Sequence, residues 1–304
     1  MKGVLLLLVL LPSLAAAQEV RIRRTEKITG TSAGDLTISA VSPDGKQLLV
    51  TSPGFRGLKI MNLRGKSVRN IAEDAGAGYE PRFSPDGKKI FFRSDEFRDF
   101  RKYSSLFEYD LEEGTRSLIE PAVRRLGSPV FSAGKLIYNA EGRQKSSDAG
   151  EQEMQKGQNN VYVILEDLVP FLYQNGVKKA FKPSGEGNYI WVSLSPDQSK
   201  VLYNYNGTGT FVADTAGRIL AEMGRLNAPK WINDMLVAGM NDRDDGTTII
   251  ASDICCYSLR SKKTVNLTNT EDIIEMYPWP VPGRNRIAFQ TSNGELFVMH
   301  VRIR

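Results

Sequence analysis

The chain has 304 residues with a formal net charge of +5, two cysteines and a single histidine. Length alone suggests about two domains, although all-β repeat folds of this size are often one. The one histidine excludes a histidine-rich metal centre. The adjacent pair Cys255 and Cys256 gives no disulfide framework, since strand neighbours point to opposite faces, and the two read as small apolar fillers. The basic residues are scattered, with local groups at Arg21, Arg23 and Arg24 and at Lys178, Lys179 and Lys182, which argues for a solvated surface and no nucleic-acid role.

Met1 to Ala17 contains Lys2, an apolar run from Val4 to Leu14 and three alanines before Gln18. This reads as a secretory signal cleaved after Ala17, with an apolar run too short to span a bilayer, and it places residues 18–304 in the periplasm or outside the cell. Val20 to Thr29 reads as a strand. Gly30-Thr31-Ser32-Ala33-Gly34 matches the serine nucleophile pattern, but a strand from Leu36 to Ala40 follows where a helix is required, and His300 is the only histidine. No catalytic residue, cofactor or metal ligand set is expected.

Residues 35–72 carry Ser42-Pro43-Asp44-Gly45-Lys46 between two apolar runs, a proline-preset reversal with a tolerant second half. The same words return at Ser84 to Lys88, inside Glu80-Pro81-Arg82-Phe83 and Ile90-Phe91-Phe92, and a spacing of about forty residues marks a repeat architecture. Degenerate copies follow at Gly127 to Asn139, Trp191 to Asn204, Ala228 to Met240 and Tyr277 to Ser292. Each is followed by a second strand pair, as in Ser105 to Leu111 with Thr115 to Ile119, and four strands make one propeller blade. The expectation is an all-β fold: a six-bladed β-propeller of four-stranded antiparallel blades at about 35–72, 79–120, 127–182, 188–223, 227–269 and 276–304. The last blade is closed by an N-terminal strand within 19–30, because Glu295 to Val301 supplies its third strand and the fourth is missing.

Within this frame three places carry binding chemistry. Glu96 to Ser104 is an enlarged hairpin tip whose Phe97, Arg98, Phe100, Arg101 and Tyr103 form a candidate partner-binding rim, or whose three aromatics cover the blade end. Glu141 to Asn159 is polar and without aromatics, which reads as a mobile rim loop, a segment that folds on a partner, or a tolerated surface insertion. Arg82, Trp191, Trp231 and Trp279 fall at or near first-strand positions, where they line the channel or stack on sugars, or else pack between blades. Asn241 to Gly246 has closely spaced acids before a glycine but lacks the distal glutamate of a calcium loop, so a hairpin turn explains it.

The Ser-Pro-Asp-Gly-Lys words at Ser42 to Lys46 and Ser84 to Lys88, followed by Leu-Leu-Val and Ile-Phe-Phe with a trailing serine, resemble the PD-type, WD-like repeats of the TolB propeller family. The resemblance covers nearly all of residues 18–304 and implies a propeller whose innermost strands line a central channel. The TolB N-terminal α/β domain has no counterpart here. Similar propellers precede the catalytic domain of prolyl oligopeptidases and form pectate-degrading lyases, but the first need a hydrolase domain and the second depend on histidine metal ligands. The function expected is a monomeric, exported, non-enzymatic scaffold that binds an envelope protein or peptide over one face. The alternative is a carbohydrate-active or small-ligand-binding propeller that uses the channel as its pocket.

Overall fold

The computed structural model describes residues 20–28, 35–63, 67–148 and 161–304. The proposed signal segment and the Gly30–Gly34 pentapeptide lie outside the described residues. Among the described residues all regular structure apart from one 3-10 turn, Pro53–Phe55, is β. β1 (Val20–Lys27) stands apart. It is followed by blade 1, with β2 (Thr37–Val41), β3 (Gln47–Ser52), β4 (Arg56–Asn62) and β5 (Val68–Ala72), and blade 2, with β6 (Arg82–Phe83), β7 (Lys89–Arg98), β8 (Arg101–Asp110) and β9 (Arg116–Val123). Blade 3 has β10 (Val130–Ser132), β11 (Lys135–Ala140) and β12 (Arg143–Asp148); blade 4 has β13 (Val161–Glu166), β14 (Val169–Gln174) and β15 (Val177–Ala180). Blade 5 contains β16 (Tyr189–Leu194), β17 (Lys200–Tyr205), β18 (Gly209–Asp214) and β19 (Ile219–Glu222); blade 6 contains β20 (Asn227–Asn233), β21 (Leu236–Asp244), β22 (Ile249–Ser258) and β23 (Lys263–Asn266). Blade 7 has β24 (Glu275–Pro280), β25 (Arg286–Thr291) and β26 (Leu296–Ile303), and β1 pairs antiparallel with β26 as its outer strand.

The apolar triples of the second strands explain the packing. Successive strand residues face opposite sides, and a blade inside a ring is covered on both. Ile90 and Phe92 pack toward blade 1 while Phe91 packs toward blade 3; Val201 and Tyr203 face blade 4 while Leu202 faces blade 6. Among the described residues the buried apolar side chains fall into seven clusters, one at each blade interface. Cys255 and Cys256 obey the same parity: Cys255 sits in the cluster between blades 5 and 6 and Cys256 in that between blades 6 and 7, both as free thiols.

The Ser-Pro-Asp-Gly turns are self-contained. The Ser42 hydroxyl donates to Asp44 Oδ1 at 2.7 Å and accepts from the Gln47 N–H at 2.9 Å, while the Gly45 N–H donates to the Ser42 carbonyl at 2.9 Å. Ser84 with Asp86 and Ser195 with Asp197 repeat the first contact. Gly45 has a left-handed φ of +64°, and a Cβ there would lie 2.7 Å from the Pro282 carbonyl of blade 7, so the turn excludes a side chain twice over.

The blade count differs from the expectation: the ring has seven blades, not six. The segment 127–182 holds two three-stranded sheets instead of one four-stranded blade. Two strands account for the difference. β12 is polar along its length and is held by backbone pairing with β11 and by side-chain contacts of Gln144 with Tyr162 and of Lys145 with Glu120, and β14 follows β13 through the two-residue turn Asp167-Leu168, both with positive φ. The expected loop Glu141 to Asn159 is therefore in part a strand, Arg143–Asp148, and its remainder from 149 lies outside the described residues.

A three-stranded sheet delivers the chain to the opposite end of the ring from where it entered. The Tyr189 N–H, at the start of β16, donates to the Leu168 carbonyl at 2.8 Å, and Asn139 Nδ2, near the end of β11, donates to Glu166 Oε1 at 2.8 Å. β13 thus ends where β16 begins and runs against the innermost strands β10 and β16 that it touches. The second three-stranded sheet restores the direction.

Candidate functional site

The inner strands carry a repeated irregularity. Register breaks occur between Ile38 and Ala40, Ile190 and Ser193, Asn227 and Lys230, and Met276 and Trp279. In three of these breaks a non-glycine residue has a left-handed φ: Trp191 (53°), Ala228 (46°) and Tyr277 (53°). Glu80 (49°) does so two residues before β6. Bulges of this kind bend a strand and re-aim its side chains. Pro81, Pro229 and Pro278 follow three of the four residues, and proline at a bulge leaves no ladder N–H unsatisfied. Left-handed φ is costly for residues with a Cβ and persists where the surroundings over-determine it. Here the four strained residues share one place, the wall of a cavity in the central channel.

That cavity has a volume of about 430 Å³. Blades 1, 2, 5, 6 and 7 line it, through Thr37–Ser39, Ser52, Gly54, Phe55, Gly78–Glu80, Arg82, Trp191, Ala228, Lys230 and Tyr277–Trp279. Arg82, Lys230 and Trp279 each come two residues after a left-handed residue and pair with the middle of the neighbouring strand, at Phe91, Ala238 and Ala288. They are the same step of three blades, aimed at one space. Gly78 brings the wall together, because a Cβ there would lie 2.1 Å from Thr51 Oγ1. The close approach seats Tyr79 edge-on against Phe55 at 5.3 Å between ring centroids, with the Arg93 guanidinium 4.7 Å from the Tyr79 ring.

Charge inside the cavity is positive. Lys230 Nζ lies 4.3 Å from the Trp279 ring centroid and has no ion pair among the described residues. Burial, reinforced by the Arg82 charge and opposed by Glu80, pushes the Lys230 amine down to about 8. Arg82 Nε is buried with no hydrogen-bond partner among the described residues. Glu80, the one carboxylate on the wall, already accepts a hydrogen bond from the Ser128 hydroxyl of blade 3. Two cations, three large aromatic side chains besides the Phe55–Tyr79 pair, and a committed acid make a cradle for a ring-bearing anion.

Of the residues singled out in the sequence, Arg82, Trp191 and Trp279 meet in this cavity. Trp231 does not. It follows Lys230 by one step, faces the other way, and packs between blades 5 and 6 with its indole N–H directed at the Ser193 carbonyl at 3.5 Å. Lys230, Tyr79, Phe55, Glu80 and Tyr277 do not stand out from the sequence pattern; the thrice-repeated x-Pro-(Arg/Lys/Trp) of the inner strands is a signal for Glu80, Lys230 and Tyr277, and none marks Phe55 or Tyr79.

The rim residues lie on the hairpin β7–β8, whose turn is only Asp99 and Phe100, both with positive φ. The second-to-third strand connections of blades 1 and 2 share one end of the ring, and since Ser52, Gly54 and Phe55 line the cavity this hairpin rises on the cavity's side. Phe97 is 70% exposed and Phe100 fully so, whereas Tyr103 has the guanidinium groups of Arg98 and Arg124 at 5.3 and 5.4 Å from its ring. Arg101 is exposed beside the turn. In the Asp242–Asp245 stretch, Asp244 accepts from the Gly246 N–H and Asp245 from the Thr247 and Thr248 N–H groups, which closes a β-turn between β21 and β22.

No helix among the described residues is long and apolar enough to cross a membrane. No family model matches the chain, and no curated protein does. Solved structures do. The β-propeller domain of Cps50 (Swd1) from Myceliophteria thermophila superposes with a TM-score of 0.60 at 9% identity, over 93% of this chain and 100% of that one. An oligogalacturonate lyase in complex with manganese gives 0.48 at 17% identity, and the oligogalacturonate lyase of Vibrio parahaemolyticus gives 0.47 at 14%; each alignment covers 86% of this chain and 76% of the other. At these identities the likeness shows the fold, a β-propeller, and nothing finer.

Proposed function

We propose that this propeller is a binding protein, not an enzyme, and that its channel cavity takes a small acidic ligand with a ring to stack, such as a carboxylated sugar. The observation that carries the reading is the convergence of Arg82 and Lys230, neither with an ion-pair partner among the described residues, beside Trp191 and Trp279. A cavity of about 430 Å³ suits a ligand of this size. Recognition would combine a charge-assisted hydrogen bond from Arg82 with stacking on the indoles. The test is a tryptophan-fluorescence titration with a panel of sugar acids and their neutral counterparts. Acids are expected to quench the fluorescence and neutral sugars to do so weakly, with Arg82→Gln reducing acid affinity about tenfold or more. Equal response to charged and neutral ligands, or none to either, rejects the reading.

The exposed Phe97 and Phe100 favour a second reading, in which a protein or peptide of the cell envelope docks across the same face. Pulldown from envelope extracts with the parent chain and with Phe97→Ser/Phe100→Ser checks it: a partner lost on substitution supports scaffolding. It rests on an exported location, which the leader-like residues 1–17 suggest.

A further inference from the structure

A second recess lies at the far end of the ring from the channel cavity, where the closing blade joins the first strand to the last. Its volume is about 350 Å³, and its wall carries Arg23, Arg284, Arg286, His300 and Arg302. The register explains the gathering. Arg286 on β25 pairs with His300 on β26, His300 with Arg24 on β1, and Arg302 with Arg21, so the cations follow one another across three strands. A break between Ile22 and Arg24 leaves Arg23 as the extra residue of a bulge, and Arg284 comes from the turn that opens β25.

None of Arg23, Arg284, Arg286 or Arg302 has an ion pair or side-chain hydrogen bond among the described residues. The nearby carboxylate is engaged: Glu26 Oε1 lies 3.0 Å from His300 Nε2, and that hydrogen bond holds Glu26 below the usual carboxylate range. Of the four, only Arg286 acts on Glu26, a charge already shared with Arg24 and His300, and four guanidinium groups so gathered repel one another unless an anion joins them. Among the described residues the wall has no Phe, Tyr or Trp, and its one aromatic ring, the His300 imidazole, is engaged with Glu26, so recognition here rests on charge. Each guanidinium offers a planar fork of donors. One carboxylate satisfies one such fork well, whereas the three outer oxygens of a phosphoryl group can engage several.

We propose that this recess binds a phosphoryl group, bridging β1, β25 and β26. Occupancy then links ring closure to the ligand, because Arg23 belongs to the first strand and Arg302 to the last. The phosphoryl group can belong to a free phosphate ester or to a lipid headgroup.

Isothermal titration of the full chain with pyrophosphate, at about 0.15 M ionic strength, reads the first source, and flotation on vesicles of phosphatidylcholine with and without phosphatidate reads the second. Saturable pyrophosphate binding, a rise in Tm, and a loss of about tenfold or more in affinity for Arg302→Gln are expected. Arg284→Gln, in an exposed turn, weakens binding with an unchanged ligand-free Tm and so separates lost recognition from lost folding. Retention on phosphatidate vesicles without a pyrophosphate response assigns the phosphoryl group to a lipid. Response to neither, a response matched by chloride at equal ionic strength, or unchanged binding in both variants overturns the proposal.

Discussion

Lys230 concentrates the conflict between stability and binding. Its amine is pushed down to about 8 mainly because burial disfavours the charged form. In the unfolded chain it keeps its proton up to the ordinary value of 10.5. Between these values the unfolded state binds more protons, so this group's contribution to folding stability rises with pH across that window. Binding of an acidic ligand runs the other way, since the attracting charge is lost as pH climbs past 8. Lys230→Met is therefore expected to raise the urea midpoint at pH 7, to flatten the pH dependence of stability from 8 to 10, and to weaken acid binding, all measurable by denaturation and fluorescence titration. Arg82, Trp191 and Trp279 are legible in the sequence because aromatic and arginine residues near a repeated turn stand out. Trp231 cannot be separated from them there, since a one-residue step reverses the face and the bulge that sets the phase is invisible without pairing partners.

Among the elements, second strands and hairpin tips lie at opposite extremes. Phe91 is fully buried between blades 2 and 3, and Phe91→Ala is expected to cost about 3–5 kcal/mol by chemical denaturation. Phe97→Ser with Phe100→Ser, at the tip of the same sheet, is expected to change stability by no more than about 0.5 kcal/mol for each, because neither ring is buried. The apolar triples make the second strands legible from the amino-acid order alone: a run without polar alternation is what a strand covered on both faces requires. β12 shows the reverse. Arg143 to Asp148 has no apolar residue to bury, and pairing with β11 together with the Lys145–Glu120 ion pair holds it as a strand, so side-chain pattern does not reveal it. The Ser-Pro-Asp-Gly turns are readable because their bonds are local, as in Ser42 with Asp44.

For the whole molecule, the propeller class and the N-terminal strand that closes it are legible in the sequence, and the number of blades is not. Closure can be seen because β26 lacks an outer partner within its own stretch and β1 has the composition of one. Removing residues 20–27 is expected to lower Tm and promote association through the bared edge of β26, detectable by calorimetry and light scattering. β1 buries little beyond Val20, so the loss falls mainly on the ladder and on the cluster shared with blade 6. The count is hidden because 127–182 carries a single recognisable turn motif, while six strands share that segment as three and three.

That division sets a rule for altering the protein. A single strand cut from blade 3, or grafted onto blade 4, would feed every later sheet from the wrong side, with β16 entered backwards and its turns upside down. The two sheets can be swapped, lengthened or trimmed only in concert, which makes residues 127–182 the natural cassette for exchange between relatives, and any variant that survives recombination there should carry both halves from a single parent.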